Sequence, residues 1–302
     1  MQSRRSNFAD LSHFLEIAKH RNFRRAALEL DISASALSHA LRGLEERLGV
    51  RLLNRTSRSV TLTAAGEALQ SALVRPFDEI NSALDVLNRF RDAPTGRVRL
   101  SVPTEAAQFL IGPVMATFLE RYPEIEIEFS VNNRMIDVVE SGFDAGIRYG
   151  GTVPQDMIAQ RLSADIRWLV VGAPSYFERL GVPVHPNDLQ AHRCVKLRIG
   201  DDRIYRWEFE RGSEKIEVNV PGGLTVDQGQ IGLAAVKDGA GLMYVADPMV
   251  REYLRDGTMR TVLDDWAPLG PGFHVYYSSR RQVPAALRLF IDHVRELRPL
   301  GL

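Results

Sequence analysis

Cysteine is nearly missing from this sequence: 302 residues contain only Cys194. One thiol makes neither an intrachain disulfide nor a cysteine zinc cage, which excludes a secreted disulfide scaffold and a structural zinc finger. That usage fits a reducing cytoplasm. Net charge is missing as well, because 38 Lys and Arg offset 38 Asp and Glu. A uniformly basic nucleic-acid coat and an acidic disordered tail are thereby excluded. Long apolar runs are absent; the stretch from Trp168 to Val171 falls far short of the roughly 18 to 20 residues that span a bilayer, so no membrane partner is expected. The opening MQSRRSNFADLSHF has Asp10 and His13, followed by Glu16, where a secretion signal needs an apolar core.

What remains is the composition of a packed protein, 45% apolar with 15 Pro and 23 Gly. The length is about twice that of a single domain, so two or three domains are expected. The zero net charge is a sum of opposite parts. Residues 1–65 hold 11 Lys and Arg against 6 Asp and Glu, leaving 27 against 32 for residues 66–302. A basic head on a mildly acidic body suggests a head that binds a polyanion.

The first sixty residues carry helical spacing. Phe14, Ile17 and Ala18 form one apolar face; Phe23, Ala26, Ala27 and Leu30 form another, after Asn22 as a plausible N-cap. A third helix starts at Ser33, carries Leu37, Leu41, Leu44 and Leu48 on one stripe, and stops at Gly49. A short helix, a tight turn and a longer helix packed back on it make a helix-turn-helix. Opposite the leucines lie Ser35, Ser38, His39 and Arg42, near the start of the third helix. Side chains there that hydrogen-bond to base edges read a major groove, and Arg42 suits guanine. A merely solvated polar face is the plainer reading of the same residues. The segment VRLLNRTSRSVTLT then reads as two short strands around a basic turn, a wing that sets Arg55 and Arg58 against phosphates or in a minor groove.

From Thr63, a plausible N-cap, helical character continues to about Asp92, before Ala93-Pro94-Thr95-Gly96. Leu73, Phe77, Ile80, Leu84 and Leu87 are spaced four, three, four, three, which is the seam of a coiled coil and implies a partner helix. One amphipathic helix lying on its own body has the same pattern over so short a length. Pro76 inside it predicts a bend or a late start of the regular helix.

Beyond Gly96 strands and helices alternate. Strands are expected at 97–103, 124–131, 144–148, 167–171, 194–198, 242–245 and 273–277, and helices at 105–121, 227–237 and 284–297. This is an α/β body. Two strand ends meet helix starts, at Ser101-Val102-Pro103-Thr104 and at Thr225-Val226-Asp227-Gln228, the kind of place where a small ligand sits.

No enzymatic constellation is present. Gly239-Ala240-Gly241 begins like a dinucleotide fingerprint, but Tyr244 stands at the third glycine position. No nucleophile elbow, phosphate loop or HExxH helix occurs. His13 and His20 are seven residues apart, as are His185 and His192, too far for a two-histidine metal face on one helix. Neither metal nor cofactor is expected, and Cys194 reads as a small buried hydrophobe on a strand.

The segment from Phe14 to Leu69 resembles the DNA-binding head of LysR-type transcriptional regulators. The residues that carry the likeness are Ala26-Ala27, Ser35 with Ser38, Leu44-Glu45, Leu48-Gly49, Leu52, Asn54-Arg55-Thr56 and Leu62-Thr63 with Gly66. Phe143 to Arg148 and the Gly239-x-Gly241 to Pro248 segment are similar to that family's effector domain. The chain is most like the CrgA-like branch, which includes regulators of peptidoglycan-degradation genes. Ala34 stands where many relatives place glutamine, and His39 where many place arginine, so an operator cannot be borrowed from a relative.

The resemblance implies an α/β multidomain protein. Residues 1–65 would be a winged helix-turn-helix that binds promoter DNA through Ser33, Ala34, Ser35, Ser38, His39, Arg42, Arg55 and Arg58. Residues 66–92 would be a linker helix that pairs copies of the chain into a homodimer or homotetramer. Residues 93–302 would form a two-lobed effector-binding domain of the periplasmic-binding-protein type, with lobe I at about 97–164 and 267–302 and lobe II at about 165–266. A small-molecule effector would lie between the lobes against Pro103, Thr104, Glu105, Arg148, Tyr149, Asp227 and Gln228. Taken singly, each of these is equally well read as a helix cap or a structural ion pair. RNA polymerase is the further partner implied.

Overall fold

The computed structural model describes residues 8–55, 60–85, 94–154, 156–278 and 283–302. The chain divides into two compact units, Met1–Leu87 and Asn88–Leu302.

In the first unit, α1 (Phe8–His20), α2 (Phe23–Glu29) and α3 (Ala34–Leu48) are followed by the two-stranded β1 (Leu53–Arg55) and β2 (Val60–Leu62), then α4 (Ala64–Asp85). Local chemistry sets each boundary. The Asn22 side chain accepts from the Arg24 and Arg25 N–H groups, and Ser33 Oγ accepts from the Ala36 N–H, as N-caps do. Gly49 ends α3 with φ 71°, a left-handed conformation that a Cβ disfavours. Phe14, Ile17, Ala26, Ala27, Leu37, Leu41 and Leu44 close the core. Each large one contributes about 1.5–3 kcal/mol by burial. Leu48 departs from the expected stripe: it is exposed, because the last turn of α3 carries it past this cluster.

The regular helix α4 starts at once rather than late. Thr63 Oγ1 accepts from the Gly66 N–H at 3.0 Å and donates to the Arg51 carbonyl at 2.7 Å, so α4 is capped and tied to the residues that lead into β1. The helix runs through Pro76. Proline there removes the donor for the Ala72 carbonyl, and both residues are exposed, which is where a helix tolerates that loss.

Among the described residues the second unit has two larger sheets and two two-stranded ones. Its elements are β3 (Gly96–Val102), a helix α5, β4 (Ile125–Val131), β5 (Ala145–Tyr149), β6 (Met157–Arg161) and β7 (Ile166–Gly172). Then come α6 (Pro174–Leu180), β8 (Lys196–Leu197), β9 (Trp207–Arg211), β10 (Glu214–Val218), β11 (Thr225–Val226), α7 (Gly229–Lys237) and β12 (Leu242–Ala246). Last are α8 (Arg251–Arg255), β13 (Arg260–Val262), β14 (Leu269–Gly270), β15 (Phe273–Ser278) and α9 (Ala285–Leu297). In α5, α-helical Thr104–Ala106 and Gly112–Arg121 flank a π-helical turn at Ala107–Ile111, just before Pro113, which has no N–H to give.

The first sheet has the order β4-β3-β5-β15-β6, with β3 parallel to β4 and β5. The second has the order β12-β7-β13, all antiparallel. The two-stranded ones are β9–β10 and β8–β11. Val98, Leu100, Ile147 and Val275 pack with Leu110, Phe118 and Phe290 of α5 and α9 in one core. Tyr176, Trp207, Tyr244 and Trp266 anchor another, in which Cys194 is buried as a small apolar group. The hairpin β9–β10 lies outside the strands expected from sequence, although Trp207 and Phe209, then Ile216 and Val218, alternate about Gly212.

The chain crosses from the first sheet to the second at 162–166 and returns at 267–272. The crossings touch: Leu162 N–H donates to the Phe273 carbonyl at 2.8 Å, and Ser163 Oγ accepts from the Phe273 N–H. A Cβ on Gly272 would lie 1.9 Å from the Ala164 carbonyl oxygen, so only glycine allows this approach.

Candidate nucleic-acid interface and effector cleft

In the first unit, the start of α3 presents Ser35, His39 and Arg42 as exposed side chains, with Ala34 and Ser38 half-buried beside them. Ser33 is spent on the cap and also meets Ser35 Oγ at 3.0 Å. Arg42 shares a shallow depression with Arg51 and Asn54, residues flanking the start of the wing. Arg55 ends β1, and Arg58 lies outside the described residues. The side chain that joins reader to wing is one that the sequence offered only as part of a family motif, without a role. Glu45 Oε1 accepts from the Leu52 N–H at 2.8 Å and the Leu53 N–H at 3.1 Å, so α3 holds β1 directly. Charge-assisted bonds of this kind are among the stronger ones.

Along α4, Leu73 packs on the core of its own unit and Phe77 stacks on Phe8 with ring centres 4.4 Å apart. Ile80 is exposed, Leu84 lies in α4 and Leu87 lies outside the described residues. The first two seam residues thus have intramolecular partners, which the spacing alone did not distinguish.

In the second unit, Thr104 and Gln228 meet. Thr104 Oγ1 donates to Gln228 Oε1 at 3.0 Å, and its N–H donates to Asn133 Oδ1 at 3.1 Å. Asn133 Nδ2 in turn donates to the Asp227 carbonyl at 3.0 Å, so Asp227 contributes backbone while its side chain is exposed. Gln230 Nε2 donates to Gln108 Oε1 at 2.7 Å. Gln228 makes no side-chain cap to α7. The plain helix-cap reading of this residue therefore does not hold; its amide is spent on the facing lobe. Asn133, Gln108 and Gln230 were missed from sequence. Asn133 sits just past the carboxyl end of a parallel strand, where ligands collect in open α/β sheets, and that position was the signal.

Behind these bonds lie Pro103, buried, and Glu105, half-buried. Glu105 Oε1 is 3.7 Å from where a Cβ on Gly229 would stand. Burial raises its carboxyl above the usual range, against a smaller opposing bond to its own N–H. Tyr149 stacks on Phe273 at 4.4 Å and lies 5.3 Å from Trp168. Burial, and then the charge of Glu105, push its phenol up. Arg148 lies elsewhere. Neighbours on a strand point to opposite faces, and the Arg148 side chain goes to the face away from Tyr149. There it donates to the Ser101 and Ile147 carbonyls, Ser101 Oγ and the Arg134 carbonyl. The ion pair that sequence offered as one of its roles is not formed among the described residues.

Chemically, the head offers short donors and cations suited to DNA, and the facing lobes offer amides, hydroxyls, one carboxyl and aromatic rings. Among the described residues no cluster suited to a metal ion occurs, and no helix is long and apolar enough to cross a membrane. Burial pushes the Cys194 thiol up to about 12, which leaves it protonated at neutral pH.

Residues 8–67 match the family model of the bacterial regulatory helix-turn-helix protein of the LysR family, and residues 91–299 match the LysR substrate binding domain. The chain belongs to the LysR family. This LysR-type regulator is 38% identical to the uncharacterized HTH-type transcriptional regulator YcaN of Escherichia coli K12 over 96% of its length and 95% of YcaN. It is 39% identical to the HTH-type transcriptional regulator PgrR of the same strain, over 97% of this chain and 98% of PgrR. Among solved structures it is similar to the full-length Vibrio cholerae virulence activator AphB, with a TM-score of 0.61, 25% identity and 97% and 99% of the two chains covered. It is also similar to CrgA of Neisseria meningitidis, with a TM-score of 0.60, 26% identity and 96% and 98% covered. The LysR regulator is a DNA-binding transcriptional regulator with an effector-binding domain rather than an enzyme, as expected from its sequence. Regulators of this family bind promoter DNA and effector ligands and form oligomers.

Proposed function

We propose that this regulator works in the cytoplasm as a homodimer or homotetramer whose paired heads read an inverted-repeat operator. The observation that carries the reading is the exposed polar face at the start of α3, where Ser35, His39 and Arg42 stand clear of the buried leucines. Ser33, Ala34 and Ser38 complete that face, and Arg55 and Arg58 of the wing lie on backbone phosphates. Residues 1–65 act as the reader and 66–92 as the pairing helix, through Ile80, Leu84 and Leu87, since Leu73 and Phe77 are taken up within their own unit. Residues 93–302 sense the effector, with 165–266 as the second lobe, and the bound complex meets RNA polymerase at the promoter.

The effector lies where Thr104, Asn133 and Gln228 already reach across, with Pro103, Glu105, Tyr149 and Asp227 around it. Binding there changes the relative arrangement of the lobes and so the spacing of the heads on the duplex. Among the described residues no cation belongs to this group, and Glu105 is acidic, which favours a ligand that is not a simple carboxylate.

Selection of bound sequences from random duplex DNA, with the parent and Arg42→Ala, tests the reading. The parent recovers an inverted repeat, and the variant loses about 1–3 kcal/mol with relaxed preference at one base position. No preferred sequence at moderate salt would overturn specific reading; a uniform loss in the variant would make Arg42 a phosphate contact.

A further inference from the structure

An α-helix with its side chains is about 10–12 Å across and a major groove about 12 Å wide, so a helix that reads the groove has a phosphate backbone along each flank. The exposed stripe of Ser35, His39 and Arg42 is the part of α3 that meets base edges. The flank of α3 beside β1 is then where one backbone passes. That flank is hollow. A depression of about 650 Å³ lies between the later turns of α3 and the chain entering the wing, with Arg42, Glu45 and Glu46 on the helix side and Arg51 and Asn54 on the other. Ligand pockets span about 300–1,000 Å³, so a phosphate with its sugar has room here.

Neither arginine of the depression is in an ion pair among the described residues. The carboxylates that share it do not neutralise them. Glu45 Oε1 is turned to β1, where it accepts from the Leu52 and Leu53 N–H groups. Glu46 stands exposed on α3, one turn after Arg42. The backbone that carries Arg51 is fixed from behind. Its carbonyl accepts from Thr63 Oγ1 at 2.7 Å, and the Leu52 carbonyl accepts from the Thr63 N–H at 3.0 Å. A Cβ on Gly66 would lie 2.1 Å from the Leu52 carbonyl oxygen, so the start of α4 closes on this segment as only glycine allows. Leu52 and Leu53 are buried, which leaves Arg51 and Asn54 as the side chains of 51–54 that reach solvent. An anchored backbone lowers the ordering cost when such side chains bind.

We propose that this depression seats a backbone phosphate of the bound duplex, with the Arg51 guanidinium as its cation and the Asn54 amide as a neutral donor. Arg42, on the helix side, is left to the base edge. The inference rests on the reading of α3 as the helix in the major groove, and it adds two positioning residues ahead of the wing arginines that carry no sequence information. Glu46 opposes them, because its charge repels the same phosphate.

Binding of the full-length protein to two fluorescent duplexes of unrelated sequence, titrated from about 50 to about 200 mM salt, tests the seat. Each phosphate contact contributes about 0.9 to the fall of log affinity with log salt, so Arg51→Ala lowers that slope by about 0.9 and weakens binding about eightfold near 0.1 M salt, on both duplexes alike. Arg51→Lys keeps the slope. Asn54→Ala weakens binding with the slope unchanged, and Glu46→Gln strengthens it. Arg75→Ala removes an equal charge from α4, where Arg75 pairs with Glu79 at 2.9 Å, and leaves affinity and slope as they are. All four side chains are exposed, so the variants fold. An unchanged slope in Arg51→Ala, with the parent binding, would overturn the seat alone; a parent that binds neither duplex would overturn the reading of α3 with it. A loss confined to one duplex would overturn the seat by making Arg51 a base contact. Weaker binding by Glu46→Gln would overturn it too, since removing a carboxylate beside a phosphate strengthens the contact.

Discussion

Thr104 Oγ1 donates a 3.0 Å hydrogen bond to Gln228 Oε1, joining residues 124 apart in sequence and on different lobes. The bond is neutral, half-buried and seconded by the Asn133 bridge to Thr104 and Asp227. It acts as a latch that any ligand entering between the lobes must break or replace. A net contribution of about 1 kcal/mol is expected of such a bond. In a double-mutant cycle of Thr104→Val and Gln228→Ala, urea unfolding shows a coupling of that size; strictly additive losses would mean that the latch is open in solution.

Glu105 gives the latch a pH dependence. Its folded carboxyl titrates above the usual carboxylate range because burial disfavours the charge. The folded state thus holds this proton more tightly than the unfolded chain does. Its contribution favours folding in acid and turns unfavourable as pH rises through the folded value. Glu105→Gln is therefore more stable than the parent at neutral pH, and the gap closes as pH falls to the carboxylate range. Melting temperatures measured at several pH values check the sign; a gap that widens in acid contradicts it.

Glu45 sets the wing relative to the reading helix. Replacing it with alanine leaves the Leu52 and Leu53 N–H groups without their acceptor, at a cost of about 1–3 kcal/mol in head stability. Operator affinity falls as well. The dependence of affinity on salt stays unchanged, since no phosphate contact is removed. Glu45→Gln keeps one oxygen acceptor and recovers part of both losses. A changed salt slope in Glu45→Ala would show that the effect passes through the phosphates.

The seam on α4 divides by partner. Phe77→Ala removes the Phe8 stack and weakens the head by about 0.5–1.5 kcal/mol without changing the assembly. Leu84→Glu places a charge on the same seam and weakens oligomerisation. Sedimentation of both variants separates the two effects. An unchanged assembly in Leu84→Glu removes the seam as a pairing surface.

The head was the most legible part of the sequence. Asn22, Ser33 and Gly49 fix helix ends through bonds within a few residues, and Leu37, Leu41 and Leu44 repeat at helical spacing, so both signals are local. The strands β5, β7, β12 and β15 were legible for the same reason, as short apolar runs at their expected places. Glu45 was visible only as part of a family motif, because its purpose depends on β1 folding back beside α3.

The helix-turn-helix, the alternating α/β body and the residue types at each strand end are written in short-range order along the chain. Those follow from propensity, periodicity and caps, which act over a few residues. Tertiary structure decided which of those residues meet. It set Gln228 on Thr104 rather than on the end of its own helix, gave Phe77 to Phe8, and turned Arg148 to the face of Tyr276, away from Tyr149. These pairings join positions far apart in the chain, and their energies exist only once the intervening chain has packed, so no local pattern encodes them.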